Sequence, residues 1–393
     1  VTIDQHQLDT WLKDNLQRVI DVRHDIHAHP ELGFDTPLTC HALTTELQAD
    51  GLEPVAFRGG LYVDIGPQPP RVGLRADIDA LPLPEQTGLP FSSVFEGRMH
   101  ACGHDVHAAV AMGAALALAD QPELPVGVRV VFQPAEEVLG GAESVIEAGL
   151  LDGIEQMYAL HCEPHHDVGT AGTRSGPITA ACDNIKVRLR STGGHTARPH
   201  LTVDMVDALA RLATGLPALA SRRVDPRAAL SIVFGSIRAG DAANAIPAEG
   251  VLQGSIRVLS LDVWRNCELL VRGWVDELVG TSGADVEVDY MVGVPPVDNH
   301  PEAAYILRQA ISSVCGANGV FVPHQSMGGE DFAWYGDRTR IALARLGVRA
   351  PGAPITDLHQ SAFMADDGAI EVGVRIMVAA ATAAAHDIAG DDL

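Results

Sequence analysis

Three short apolar runs in the first 165 residues each stop at chemically active side chains. Arg71 to Ala76 leads into Asp77 and Asp79, and Val126 to Phe132 leads into Gln133-Pro134-Ala135-Glu136-Glu137. Gln156 to Leu160 leads into His161, which is read as the strand's end, with Pro164 expected to stop the chain continuing regularly. Each run has the length and apolar continuity of a buried strand. Between them, residues 105–119 are almost entirely Ala, Val, Met and Leu, the pattern of a helix enclosed on all sides. The Ala-rich stretch 377–385 reads the same way. Strands alternating with helices predict an α/β domain with a mainly parallel sheet covered on both faces. In such sheets, sites form beyond the carboxyl ends of the strands, which is where these acids and histidines fall.

The pattern changes near residue 183. Asn184 to Ser191 alternates, with Ile185, Val187 and Leu189 on one face, and 202–218 has the period of an amphipathic helix. Strands near 229–238 and 250–259, a helix at 262–280 and a strand at 285–291 complete the order βαββαβ, a small α+β sandwich. After Pro295 the α/β character returns. The predicted fold is therefore α/β, with one discontinuous domain (1–182 and 295–393) interrupted by an α+β domain (183–294). No internal repeat or low-complexity segment is visible.

Composition narrows the function. The chain has 393 residues, with 51 acids against 27 Lys and Arg and a formal charge of −24. This balance opposes nucleic acid and anionic membrane surfaces, which draw on clustered bases. Lys13 and Lys186 are the only lysines and neither lies in a Gly-rich context, which removes a Walker-type phosphate loop and disfavours Schiff-base chemistry. No apolar run approaches the roughly 20 uncharged residues that span a bilayer. The start Val1-Thr2-Ile3-Asp4-Gln5 shows no basic and then apolar leader. The six cysteines are too widely and irregularly spaced for a disulfide framework, so the expected compartment is the reducing cytoplasm.

Chemistry concentrates in Met99-His100-Ala101-Cys102-Gly103-His104-Asp105-Val106-His107. In an extended segment Cys102 and His104 project to the same side, and a thiolate with an imidazole can hold or bridge divalent ions. C-x-H alone is a weak pattern, and a His-rich loop capping a helix accounts for it equally well. Glu136-Glu137 follows an apolar strand, where two adjacent carboxylates need a compensating charge. One can serve as a ligand and the other as a general base, although a solvated strand-to-loop corner has the same sequence. His161 and His359 are single histidines, which are more often hydrogen-bonded than metal-bound. Asp79 is placed to orient a liganding imidazole. Their shared position at one end of one sheet is what gives these weak signals weight. There is no G-x-S-x-G elbow, H-E-x-x-H helix or G-x-G-x-x-G fingerprint. A Cys102 thiol nucleophile with His104 as base would leave the carboxylates and other histidines without a role.

Taken together, Arg23-His24-Asp25-Ile26-His27-Ala28-His29-Pro30-Glu31, RADIDALP (75–82), MHACGHDVHAA (99–109), FQPAEE (132–137), GGHTARPH (193–200) and GGEDF (328–332) resemble the aminoacylase and hippurate-hydrolase branch of the dinuclear metallo-carboxypeptidases. That branch includes plant indole-acetyl-amino-acid hydrolases and bacterial N-acyl amino acid amidohydrolases. The resemblance runs from about residue 20 to 365. It implies that 1–182 and 295–393 form the metallo-catalytic domain and that 183–294 is a lid through which the chain forms a homodimer or higher homo-oligomer. It implies two divalent ions (Zn, Mn, Ni or Co) on Cys102, His104, Glu137, His161 and His359, with Glu136 as general base. His195 would stabilise the oxyanion at an active site, often that of a second copy. Asn244 and Arg257 match lid positions that hold the substrate carboxylate, and Asp79 matches the carboxylate behind the metals. Asp77 lies where related peptidases carry a His ligand. Gly329 replaces a common Ser, and Asp35 stands near where a Glu is usual; both bear on substrate preference.

The implied reaction is hydrolysis of the amide of N-acetyl, N-benzoyl or similar amino acids, a small-molecule substrate. Its rivals are a dipeptidase or carboxypeptidase on the same scaffold, a silent metal-binding protein, and the thiol hydrolase.

Overall fold

The computed structural model describes residues 5–121 and 124–391; the expectation about Val1 to Asp4 lies outside them. The chain divides into two compact units, Val1–Ile178 with Asp298–His324 and Asp331–Leu393, and Thr179–Val297 with Gln325–Glu330. The first division falls at 178/179 rather than 182/183. The strand Ala181–Arg190 begins earlier than its alternation indicates and pairs Ala181 with Val258 inside the smaller unit.

The larger unit is built on eight strands in the order Val55–Phe57, Gly60–Ile65, Gly127–Gln133, Pro70–Asp77, Gln156–Asp167, Arg340–Arg349, Ala171–Thr173 and Val320–Phe321. The four central strands are mutually parallel and the first two are antiparallel additions, so the sheet is mainly parallel as predicted. Their near-continuous burial is what parallel strands require. The strand does not end at His161, and it continues irregularly past Pro164. Pairing with Arg340–Arg349 continues to Asp167 through a register shift, and a bulge tolerates a residue with no N–H to donate.

The helix His104–Ala119 is buried over nearly its whole length. Small residues let it approach its neighbours closely. A Cβ on Gly113 would lie 2.7 Å from Val374, and one on Gly373 would lie 2.6 Å from Val110, across the contact with the helix Gly368–Asp391. That last helix is long and apolar enough to cross a membrane, but 72% of its most apolar window is buried inside this unit. Burial in the core accounts for its composition.

The smaller unit follows the βαββαβ order. Its antiparallel sheet runs Ser231–Arg238, Glu249–Val258, Ala181–Arg190, Asp285–Val294. Ile185, Val187 and Leu189 face the helices Met205–Arg223 and Leu261–Val279, each 1% exposed or less. Both helices start at side-chain caps: Asp204 accepts from the Asp207 N–H and Ser260 from the Val263 N–H. Each cap supplies a partner for a donor that the first helical turn leaves unpaired.

Candidate metal and catalytic site

The site sits in the larger unit, at the carboxyl ends of its central strands. Cys102 lies in a turn and His104 is the first residue of its helix. The two side chains therefore do not converge through an extended segment. The turn at Gly103 brings them together instead, at φ +82°, where a Cβ would meet the Cys162 sulfur at 2.5 Å. Only glycine fits there.

Cys102 belongs to two candidate ligand groups, one with His104 and His161 and one with Glu137 and His359. Within each, the ligand atoms lie within 4.8 Å of one another. His104 also groups with Glu136 and Glu137. The five sequence-predicted ligands and the predicted base are thus assembled in one place.

Hydrogen bonds fix which atoms are available. His104 Nδ1 donates to the Asp79 carbonyl oxygen at 2.8 Å, leaving Nε2 with a lone pair. His161 Nδ1 donates to the Cys162 carbonyl at 2.9 Å, and its Nε2 lies 3.5 Å from the Cys102 sulfur. His359 Nε2 is 3.6 Å from Glu137 Oε1. His359 occupies φ +60°, a costly conformation for a residue with a Cβ and one that accumulates at functional sites. His107 also approaches the cluster, but both its nitrogens are spent. Its Nδ1 donates to Asp77 Oδ1 at 2.5 Å and its Nε2 accepts from the Cys162 N–H at 2.9 Å.

Asp79 lies against His104, its Oδ1 3.6 Å from Nδ1, and does more than the sequence expectation. Its backbone carbonyl orients His104, while its carboxylate accepts the main-chain N–H groups of Glu136 at 3.0 Å and Glu137 at 3.2 Å. The loop carrying the acid pair also needs Ala135 at φ +59° and Leu139 at φ +57°. Asp79 therefore grips the turn that aims both carboxylates.

Beneath the cluster lies a buried polar scaffold that sequence reasoning did not assign. Arg75 donates to Asp77 at 2.6 Å, Asp331 at 2.8 Å and Gln133 at 3.1 Å. Gln133 donates to Asp331 and accepts from Tyr335 OH at 2.6 Å, and Asp331 also accepts the Ala142 N–H. The signal was present: Arg75, Gln133 and Asp331 each stand in one of the quoted motifs. A second scaffold ties Asp105 to Arg23 at 3.0 Å and to His27 at 2.9 Å, with Glu85 on the other His27 nitrogen. Burial opposes the charge on His27, but Asp105 and Glu85 outweigh it and raise its pKa to about 9. His100 beside it is fully buried with neither nitrogen hydrogen-bonded among the described residues; burial pushes its pKa down to about 3.

The cluster has the chemistry of a cation site. His104 Nε2 and Glu137 Oε1 are buried with no hydrogen-bond partner among the described residues. Burial raises the Glu137 carboxyl to about 7 against the opposing pull of His104, with Asp79 and Asp77 adding to the rise. Burial likewise drives the Cys102 thiol far up and holds His161 well below the usual imidazole range, with Arg345 adding to the latter. Lone pairs aimed together, on acids unwilling to ionise alone, fit divalent cations.

In the smaller unit, His195 Nδ1 accepts the Ala197 N–H at 3.0 Å, which leaves the neutral ring's proton on exposed Nε2. Arg257 donates from Nη1 to the Met327 carbonyl at 2.8 Å. Asn244 is exposed beside the short strand Ala245–Ile246 that pairs with Gly194–His195.

Residues 73–383 match the model of peptidase family M20/M25/M40. A Rhodococcus jostii (strain RHA1) protein that carries the name glutamate–cysteine ligase 2-3 is 47% identical over 94% of this chain, which spans only 47% of that protein. An N-acetyl-L-cysteine deacetylase of Bacillus subtilis (strain 168) is 34% identical over 90% of this chain and 85% of its own length. The crystal structure of the YXEP protein of Bacillus subtilis, a dinuclear metal-binding peptidase of the M20 family, superposes with a TM-score of 0.84 at 29% identity, covering 95% of this chain and 99% of that one. The resemblance carried by the motifs is borne out: this chain is a metal-dependent amidohydrolase and belongs to peptidase family M20/M25/M40.

Proposed function

We propose that the chain hydrolyses the amide bond of N-acyl amino acids, releasing a carboxylic acid and a free amino acid. The observation that carries this is the convergence of Cys102, His104, Glu137, His161 and His359 around lone pairs that no described protein group satisfies. These five residues would hold two divalent ions drawn from Zn, Mn, Ni or Co, with Cys102 shared between the two ligand groups. When bound, the ions supply Lewis acidity that makes water nucleophilic at neutral pH and polarises a carbonyl.

The remaining steps belong to side chains. Glu136, held by the Asp79 clamp, takes the proton of the attacking water and returns it to the leaving nitrogen. His195 donates from Nε2 to the oxyanion of the tetrahedral intermediate. Asn244 and Arg257 pair with the α-carboxylate of the amino acid, Arg257 through donors beyond the one given to Met327. These three roles rest on the family resemblance set out above. The smaller unit is proposed as a lid and homodimerisation domain, and the chain as cytoplasmic.

The test is turnover of a panel of N-acetyl and N-benzoyl amino acids alongside dipeptides, before and after chelation and with Zn²⁺ or Mn²⁺ restored. Activity on acyl amino acids that vanishes with chelator, returns with metal and is lost in Glu136→Gln supports the proposal. Activity confined to dipeptides replaces it with the peptidase reading. Activity in thoroughly metal-free protein moves the chemistry to Cys102.

A further inference from the structure

Arg345 lies in the strand Arg340–Arg349, directly opposite His161 in the parallel pairing with Gln156–Asp167. Residues in register on parallel strands project from the same face of the sheet, about 5 Å apart between strands. The burial pattern agrees. Ala342, Ala344, Leu346 and Val348 join the apolar core on the other face together with Tyr158, Leu160 and Cys162. Arg345 therefore shares the face of His161, whose Nε2 lies 3.5 Å from the Cys102 sulfur. The arginine is 7% exposed.

What sets Arg345 apart is its lack of a counter-charge. The other two buried arginines have full sets of partners. Arg23 pairs with Asp105 and Asp367, and Arg75 with Asp77 and Asp331. Arg345 has no ion pair and no side-chain hydrogen bond among the described residues. A buried guanidinium without a partner is unfavourable, because its five N–H donors have lost water and gained nothing. A fixed cation beside a cluster of ligands, at the end of the sheet where substrates bind, lacks an anion.

We propose that Arg345 is a carboxylate-binding residue of this site, receiving a carboxylate group of the substrate on the larger unit itself. The planar fork of guanidinium donors matches two carboxylate oxygens, which an ammonium or an imidazole does not. The carboxylate has two possible sources, the α-carboxylate of the amino acid or an acid group on the acyl chain. This inference deepens the amidohydrolase reading and rests on it for the identity of the ligand as substrate.

The experiment uses the full chain with Arg345→Met, which keeps the length and removes the charge, and Arg345→Lys, which keeps the charge and loses the fork. Succinate is titrated by calorimetry into parent and variants, both metal-loaded and chelator-treated. N-acetyl-leucine, N-acetyl-leucinamide and N-succinyl-leucinamide are then compared as substrates of the loaded enzyme. The proposal predicts that Arg345→Met weakens succinate binding about 10- to 100-fold, the loss of a charge-assisted hydrogen-bonded pair, and that Arg345→Lys recovers part of it. The kcat/KM ratio of acid to neutral substrate falls by a similar factor, through KM. A fall in the N-acetyl-leucine to N-acetyl-leucinamide ratio assigns the α-carboxylate. A fall in the N-succinyl-leucinamide to N-acetyl-leucinamide ratio assigns the acyl chain. Without succinate, Arg345→Met should melt no lower than the parent, because an unpaired charge has been replaced by an apolar side chain. Unchanged succinate affinity overturns the proposal, as does an equal loss on acid and neutral substrates or a lower melting temperature. If no amide is turned over, the function above fails while the succinate titration still decides Arg345.

Discussion

Replacing Asp79 with Asn isolates the clamp on the acid pair. The native carboxylate is 1% exposed and accepts two main-chain N–H groups, at 3.0 and 3.2 Å. An Asn side chain is nearly isosteric, but it offers one acceptor oxygen and turns an NH₂ group toward the second N–H. One charge-assisted hydrogen bond is weakened to a neutral one, and the other is lost with a buried donor left unpaired. Hydrogen bonds to charged groups contribute about 1.5–3 kcal/mol, and an unsatisfied buried donor costs about 1–3 kcal/mol. Weakening the first bond to the roughly 0.5–1.5 kcal/mol of a neutral one loses about 1–1.5 kcal/mol, and with the unpaired donor the destabilisation is about 2–4.5 kcal/mol, concentrated in the turn where Ala135 and Leu139 already hold positive φ. The assay is urea unfolding of the metal-free protein, followed by kcat with saturating metal. The midpoint should fall, and kcat should fall with little change in KM, because the base is misaimed while substrate contacts persist. His104 should keep its orientation, since its partner is the Asp79 backbone oxygen. Unchanged unfolding and unchanged kcat in Asp79→Asn would refute the clamp. A variant that lost metal affinity but kept kcat at saturating metal would instead return Asp79 to the role of orienting an imidazole.

Two further outcomes follow from the scaffold around the ligands. Gly103→Ala combines a left-handed backbone with a Cβ 2.5 Å from the Cys162 sulfur, so it should destabilise by about 2–4 kcal/mol and weaken metal binding, both measurable by thermal melts with and without Zn²⁺. His27 has its folded pKa raised from 6.5 to about 9; its pairing with Asp105 and Glu85 stabilises fully below pH 6.5 and is lost as pH rises through 9. This contribution is of the order of 3 kcal/mol. His27→Gln should therefore flatten the alkaline fall of stability between about pH 6.5 and 9, and a parallel curve in parent and variant would remove His27 as its source.

Much of the architecture was legible because burial writes itself into periodicity. The three strands that carry the site read as mostly apolar runs, and the helix after His104 as an apolar stretch too long for a strand. Alternation likewise exposed the buried face of Ala181–Arg190. What periodicity could not give was backbone detail at the chemistry. Cys102 and His104 converge through the left-handed Gly103, which no two-residue spacing rule describes. His161 reads as a strand end, but the strand continues past Pro164 through a bulge. Asp79 was legible as important and not as a clamp, because its partners are main-chain N–H groups with no side-chain signature. His107 stood in the densest motif and still has no lone pair to offer, a fact that lies in its two hydrogen bonds. Arg75 and Asp331 are 256 residues apart in sequence, and only the folded sheet reveals that they pair.

The claim on which the rest depends is that this cluster holds two divalent ions, and counting them tests it most directly. Chelator-treated protein is titrated with Zn²⁺ or Mn²⁺, and bound metal per chain is measured by elemental analysis after dialysis, for the parent and for Cys102→Ser and His104→Ala. The account predicts two ions per chain in the parent and fewer in both variants. It also predicts proton release on binding, because the Cys102 thiol and the Glu137 carboxyl (raised to about 7) must ionise, so apparent affinity climbs with pH. A parent that binds no metal at saturation, or two ions retained in each of Cys102→Ser and His104→Ala, would contradict it.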